Sequence, residues 1–368
     1  MTKDIYVTRP SMPPLSEFVE YLEDIWDSGI LSNGGPFHQQ LEAELQKYLK
    51  VENVSIFNNG TIALMTALRA LKITGDVITT PFSFIATSHA LLWNGNRPVF
   101  ADIEPNSLNL SPAAIEAAIT DRTTAIMPVH CYGNPADVEA IDDIGQRYGL
   151  KVIYDAAHAF GVERHDGSVL NFGDASVLSF HATKVFNTFE GGAIICQSPE
   201  LKKYVDQLKN FGHEGETSVI ATGLNGKVSE VNAAFGLVQL RHIDEAIDRR
   251  RAIDAKYRAA FADVAGVTCL QDTGQTVGNY SYFPILVGPE FRIDRDALYD
   301  HMKAHGVNPR RYFYPLIPEF PMYQDLPSAR LQLLPNAYRA SREILCLPIY
   351  PDLDDASLER IISLVSEA

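Results

Sequence analysis

The chain has 368 residues, 46% of them hydrophobic, and a formal charge of −15 at neutral pH. That length supports a large core with a second, smaller domain packed against it, and the charge argues against gripping nucleic acid or an anionic membrane, because the long-range field repels both. No stretch approaches the roughly 20 consecutive apolar residues of a membrane span, and the opening MTKDIYVTRPSMPP lacks an apolar segment of signal-peptide length, so a cytoplasmic protein is expected.

From Val51 to about Cys196, short apolar runs alternate with helical patterns. VSIF is followed by a helix from Thr61 and VITT by a helix from Phe84; PVFAD, TTAIMPV, LKVIYD and ASVLSF come next. This alternation predicts an α/β fold built on a largely parallel sheet with helices on its faces. Ligands of such sheets collect at the carboxyl ends of the strands, which makes Asn58 to Thr61, Pro81 to Phe84, His130, Asp155 to His158 and Ser179 to Lys184 the candidates. From Lys227 to Phe261, apolar residues at three- and four-residue spacing predict one long helix of the kind that bridges domains. YSYFPILV then reads as a strand, and Asp294 to His305 and Asp355 to Ala368 as helices. The expected division is a large domain of residues 1–245 and a small C-terminal α/β domain of residues 246–368.

Several chemistries are disfavoured. The four cysteines form no CxxC pair and read as reduced core thiols, the ten histidines include no HExxH or paired ligand spacing, and Gly-rich dinucleotide and P-loop fingerprints are missing. No metal is expected.

Two residues stand out against this background. Asp155 ends the apolar run LKVIYD, where a buried strand meets the crevice; an unpaired carboxylate there costs several kcal/mol unless a cation or a set of donors meets it. Lys184 follows a second run, ASVLSF, predicted to end at the same sheet edge. The pair reads either as a structural ion pair or as the two flanks of a pyridoxal ring, the lysine amine condensing with the aldehyde and the carboxylate keeping the pyridine nitrogen protonated. Arginine cannot replace the lysine in the second role. Ser179 offers a hydroxyl, and Gly60 and Thr61 in NNGTIAL open a helix whose N–H groups suit a phosphate. Phe84 offers a flat face for a ring. Each has a plain alternative, as strand residue, helix cap or core.

With these residues assembled, the chain resembles the fold-type I pyridoxal-phosphate aminotransferases that act on nucleotide-linked keto sugars, the DegT/DnrJ/EryC1/StrS family. The resemblance runs through LSNGGPFHQQLEAEL, NNGTIAL, TTPFSFIAT, PVFADI, PVHCYGNPAD, DAAHAFG, SFHATK…EGGAI, NFGHEG and GLNGKVSEVNAAFGLVQL. It implies a large, mostly parallel sheet of the seven-stranded type with a smaller C-terminal α/β domain, and pyridoxal 5′-phosphate as cofactor. By resemblance, Lys184 binds the cofactor aldehyde and is catalytic, Asp155 faces the pyridine nitrogen, and His158 lies near the ring hydroxyl. Gly60, Thr61 and Ser179 hold the phosphate, and Phe84 stacks on the ring. Asn225 resembles a residue contributed to the phosphate by a neighbouring subunit, implying a homodimer with shared active sites, although Lys227 stands where the family usually has arginine.

The implied reaction takes an amino group from L-glutamate to a nucleotide-linked keto sugar. The overall pattern is most similar to the branch that converts dTDP-4-keto-6-deoxy-D-glucose to its 4-amino product, a building block for O-antigen or other glycans. In RRYFYPL, Arg310, Arg311, Tyr312 and Tyr314 offer cations and aromatic faces to a nucleotide diphosphate, or else form a solvated edge with core tyrosines. His181 is a candidate sugar contact or a packing histidine. A 3-keto sugar substrate, a dehydratase or lyase using the same cofactor, and a non-catalytic regulator that binds it remain open alternatives; Lys184 argues against the dehydrating branch, which carries histidine there.

Overall fold

Seven short apolar strands build the central sheet: β1 (Val54–Phe57), β2 (Asp76–Thr79), β3 (Arg97–Phe100), β4 (Thr123–Met127), β5 (Lys151–Asp155), β6 (Ala175–Ser179) and β7 (Gly192–Cys196). The computed structural model describes residues 4–270 and 276–368 and orders these strands β1-β7-β6-β5-β4-β2-β3. β2 to β6 pair with one another in parallel, whereas β7 runs antiparallel to both β1 and β6. The six runs read from the sequence are six of these strands. The antiparallel seventh, GAIIC, brings its first residue, Gly192, to the edge where the parallel strands end.

The strands read as continuous apolar runs because both faces are covered. Successive side chains point to opposite faces, so Ile56, Ile78, Ile126 and Val152 join one core, with Leu41, Leu45 and Leu49 of the helix Pro36–Leu49. Phe57, Val77, Ala125 and Ile153 join another, under Ala63, Leu64 and Leu68 of the helix Gly60–Ala70. Full burial of each such leucine or isoleucine contributes about 1.5–3 kcal/mol.

The long helix runs from Glu230 to Phe261, starting after Ser229, whose hydroxyl accepts the Asn232 N–H as an N-cap. The buried Glu230 carboxylate accepts the Phe37 and His38 N–H groups at 2.8 and 3.1 Å, satisfying the start of the helix Pro36–Leu49. Ala233, Leu237 and Ile243 pack on the first core. Ile253, Tyr257 and Phe261 pack instead with Phe283, Ile285, Leu345, Leu358 and Ile361, the centre of a C-terminal unit. That unit has a three-stranded antiparallel sheet of Val267–Cys269, Phe283–Val287 and Ile344–Leu347, with the helices Arg295–Ala304 and Asp355–Ser366. A further apolar cluster joins Phe82, Phe100 and Tyr132 to Phe313, Leu316 and Cys346. C-terminal residues thereby cover the carboxyl edge of the large sheet.

One helix starts later than its sequence suggests. Phe84 does not open the helix after β2, which spans Ala86–Trp93. The Ser83 and Thr87 hydroxyls lie 2.9 Å apart and the Phe84 carbonyl accepts the Thr87 N–H, so Ser83 and Phe84 sit in a turn tied to the first turn of the helix, with the Phe84 ring exposed.

Gly192 sits beneath the loop after β1. A Cβ there falls 2.8 Å from the Asn59 carbonyl carbon and the Gly60 nitrogen, both backbone atoms. Gly192→Ala is therefore expected to destabilise the protein by about 1–3 kcal/mol through forced backbone displacement, lowering the thermal unfolding midpoint. Gly278→Ala, where a Cβ meets open space, should leave it nearly unchanged.

Candidate active site

At the carboxyl edge of the sheet lies a cavity of about 290 Å³. Asp155, the last residue of β5, forms part of its wall and is 4% exposed. Its Oδ2 accepts the Thr87 hydroxyl at 2.7 Å and its Oδ1 the Ala157 N–H at 3.1 Å, which fixes the carboxylate plane. Burial pushes its pKa above the ordinary value, while these two donors and the charge of Lys184 work against that rise.

Lys184 lies in the turn between β6 and β7 and lines the same cavity. Its backbone N–H donates to the His181 carbonyl at 2.8 Å. Enclosure by the cavity walls brings the amine from 10.5 to about 8, with the Asp155 charge opposing the drop. The amine is thus available in both protonation states near neutral pH.

His158 adds a fixed donor. Its Nδ1 accepts the Tyr132 N–H at 3.2 Å, so the neutral ring carries its proton on Nε2. Burial holds its pKa well below the ordinary value, and the Lys184 charge lowers it further. The ring lies parallel to Phe313 and edge-on to Tyr282, both supplied to the cavity wall by the C-terminal unit.

The opposite end is built for an anion. Asn59 caps the helix Gly60–Ala70 by accepting the Ile62 N–H at 2.8 Å, and the N–H groups of Gly60 and Thr61 precede the first intrahelical bond. A Cβ on Gly60 would stand 3.0 Å from the Ser179 Cβ. Only a glycine permits that approach without pressure, and it places the Ser179 hydroxyl beside the helix N-terminus.

Gly60, Thr61, Phe84, Asp155, His158, Ser179, His181, Lys184 and Tyr312 all line this one cavity, whereas Asn225 and Arg310 do not line it. Asn225 lies behind the β1 loop, its carbonyl accepting Asn58 Nδ2 at 3.2 Å. Arg310 exchanges backbone hydrogen bonds with Cys346 and is exposed. Arg311 is committed to Asp296 at 2.6 Å and stacks over Tyr299 and Tyr314, so the Arg-Tyr cluster divides between the cavity and a separate ion-pair network. The sequence reading missed Thr87, Glu190, Tyr282 and Phe313. Thr87 carried a usable signal, a hydroxyl four residues after Ser83 at the expected start of a helix; Tyr282 and Phe313 carried none, because chain folding alone brings them to the sheet edge.

An amine of lowered basicity, an oriented carboxylate, a neutral imidazole donor and a helix N-terminus beside a hydroxyl, all around a narrow space, are complementary to pyridoxal phosphate. The comparisons agree. The model of the DegT/DnrJ/EryC1/StrS aminotransferase family matches residues 15–366. The chain is 54% identical over 367 residues to the dTDP-4-amino-4,6-dideoxy-D-glucose transaminase of Shigella dysenteriae, covering 100% of both chains. It is 51% identical over 364 residues to the transaminase of the same name from Escherichia coli, covering 99% of this chain and 98% of that one. The crystal structure of DesI in the presence of its TDP-sugar product matches with a TM-score of 0.95 at 35% identity, over 100% of this chain and 93% of that chain.

The Lys184 shift has a definite pH signature in the protein freed of cofactor. Below pH about 8 the amine is charged in folded and unfolded chains, and the cost of enclosing it is present in full. Between about 8 and 10.5 the unfolded chain holds a proton that the folded chain has lost, so this group's contribution to stability rises with pH across that window. Competitive acetylation read by mass spectrometry should give Lys184 an apparent pKa near 8, and Asp155→Asn should lower it further by removing the charge that opposes the drop.

Proposed function

The chain belongs to the DegT/DnrJ/EryC1/StrS aminotransferase family and is a pyridoxal-phosphate-dependent aminotransferase, and from that premise we propose that it moves an amino group from L-glutamate to C4 of dTDP-4-keto-6-deoxy-D-glucose, giving dTDP-4-amino-4,6-dideoxy-D-glucose. The observation that carries this reading is the meeting of Lys184 and Asp155 on one cavity, in a chain more than half identical from end to end to two transaminases named for that amino sugar.

When bound, pyridoxal phosphate supplies a carbonyl that carries the amino group and a ring that holds electrons while a proton moves. The remaining work falls to the chain. Lys184 takes a proton from the α-carbon of the donor and delivers one to C4 of the sugar, a task suited to an amine with a pKa of about 8. Asp155, held by Thr87 and the Ala157 N–H, would keep the ring nitrogen protonated. The Nε2–H of His158 would serve the ring hydroxyl, and Gly60, Thr61 and Ser179 would hold the phosphate. Phe84, exposed in the turn before the helix, would offer its face to the ring. His181 and Tyr312, which line the cavity, would contact the sugar, and Arg310, which does not line it, would serve the nucleotide diphosphate.

Asn225 acts on the cofactor phosphate of a second copy, making a homodimer with two shared sites. Exposed apolar side chains near it, Phe211, Val219 and Ile220, support an interface there. The large domain ends near residue 245, within the long helix. Among the described residues no helix is long and apolar enough to cross a membrane, and the highly charged, water-soluble substrates suit a cytoplasmic enzyme that supplies O-antigen or other glycan assembly.

The test is a panel of dTDP-, UDP- and GDP-linked 3- and 4-keto sugars incubated with glutamate, with products assigned by mass and NMR. The expected result is a preference for dTDP-4-keto-6-deoxy-D-glucose, nitrogen at C4 and stoichiometric 2-oxoglutarate. Lys184→Ala should slow turnover by about 10²–10⁴-fold or more. Nitrogen at C3, or a product without nitrogen, would overturn the assignment.

A further inference from the structure

Glu190 lines the cavity immediately before the Gly191-Gly192 pair. Its main chain is fixed, since the Glu190 carbonyl accepts the Thr188 hydroxyl at 2.8 Å and Asn232 Nδ2 at 2.9 Å, the latter from the first turn of the long helix. Its side chain is 61% exposed, and its Oε1 lies 3.6 Å from His181 Nε2. That separation is too long for a hydrogen bond.

The orientation of His181 is set from its other side. Nδ1 accepts the Thr183 N–H at 3.2 Å and lies 2.8 Å from the Thr183 hydroxyl. The neutral ring therefore carries its proton on Nε2, the nitrogen nearest Glu190. A donor and a carboxylate acceptor face one another across a gap that they do not close themselves. A hydroxyl group, which donates and accepts, completes both. With two oxygens and about four lone-pair sites, the carboxylate has capacity for two such donors side by side, which describes a vicinal diol.

We propose that Glu190 is a specificity-determining residue that accepts hydrogen bonds from the C2 and C3 hydroxyls of the hexose, with His181 donating to one of them, and so selects sugars whose carbonyl is at C4. The inference rests on the assignment of a nucleotide-linked keto sugar to this cavity. A 4-keto-6-deoxyhexose presents adjacent hydroxyls at C2 and C3; a 3-keto hexose has its carbonyl between the remaining hydroxyls and presents no such pair. Glutamate has no hydroxyl to donate to the Glu190 carboxylate, so these hydrogen bonds form with the sugar and not with the donor.

The test compares wild-type and Glu190→Gln holoenzyme. Calorimetry measures affinity for the 4-amino-4,6-dideoxyglucose product linked to dTDP, for its 3-deoxy analogue and for dTDP alone; single-turnover absorbance measures the glutamate half-reaction. The substitution should weaken the diol-bearing product about 10- to 100-fold, leave dTDP affinity unchanged and not slow the glutamate half-reaction. The 3-deoxy analogue should bind the wild type weakly and lose little more in the variant. Equal affinity of both proteins for the diol-bearing product overturns the role, as does an equal loss for dTDP or a slowed glutamate half-reaction, which would mark a general disturbance. Failure of the wild type to aminate the 4-keto sugar would instead overturn the substrate assignment and this inference with it. The main-chain bonds that fix Glu190 do not involve the substituted group, so folding is not at stake.

Discussion

The structure depends on an electrostatic arrangement that costs free energy: a carboxylate and an amine, 29 residues apart in the numbering from 155 to 184, both line one cavity at the sheet edge, where burial disfavours the charged form of each. Asp155 is held there by the Thr87 hydroxyl and the Ala157 N–H, and burial still raises its pKa. Enclosure brings the Lys184 amine down to about 8, against the opposing charge of Asp155. Such a pair adds little to stability by itself, because desolvation consumes the attraction. In the role proposed above, the carboxylate would meet the ring nitrogen of pyridoxal phosphate and the amine its aldehyde.

The rest of the fold can be understood as what holds those two groups in position. Five parallel strands set the edge, and the antiparallel β7 closes it by bringing Gly192 under the Asn59-Gly60 turn. The end of the cavity at the Gly60 helix N-terminus is consequently tied to the same strands as the amine end: β6 supplies Ser179, and the turn that follows it carries Lys184. The C-terminal unit contributes differently. Tyr282, Tyr312 and Phe313 close the cavity from above, and the aromatic contacts of His158 with Tyr282 and Phe313 link the two units at the site itself. Displacement of the small unit relative to the sheet would therefore reach His158 before it reached Asp155 or Lys184.

Most of the architecture was legible because the strands are short, apolar and regularly separated by helical stretches; VSIF, LKVIYD and ASVLSF each became strands at their quoted positions. The antiparallel strand was not separable by pattern, since GAIIC looks like any buried strand and direction is set by its partners. Asp155 and Lys184 were legible as polar residues at the ends of apolar runs. Phe84 was legible as a cavity residue but not in its backbone setting, where two hydroxyls 2.9 Å apart shape the turn. Thr87 and Glu190 were passed over because threonine in a helix and glutamate before a glycine pair are ordinary surface choices. Arg311 illustrates the converse: a cation beside cavity residues in sequence, it is taken up by Asp296 and two tyrosine faces, a contact that only the folded chain creates.

The central claim, that this amine and this carboxylate face one coenzyme, is tested most directly by borohydride reduction of the holoprotein followed by peptide mapping, in the wild type and in Asp155→Asn. The account predicts that reduction fixes the cofactor to the peptide containing Lys184 in both proteins, and that the pyridine nitrogen is protonated in the wild type and not in the variant, as read by nitrogen-15 NMR of labelled cofactor. Attachment to another lysine, such as Lys209 or Lys227, or a nitrogen resonance unmoved by the loss of the Asp155 charge, would contradict it.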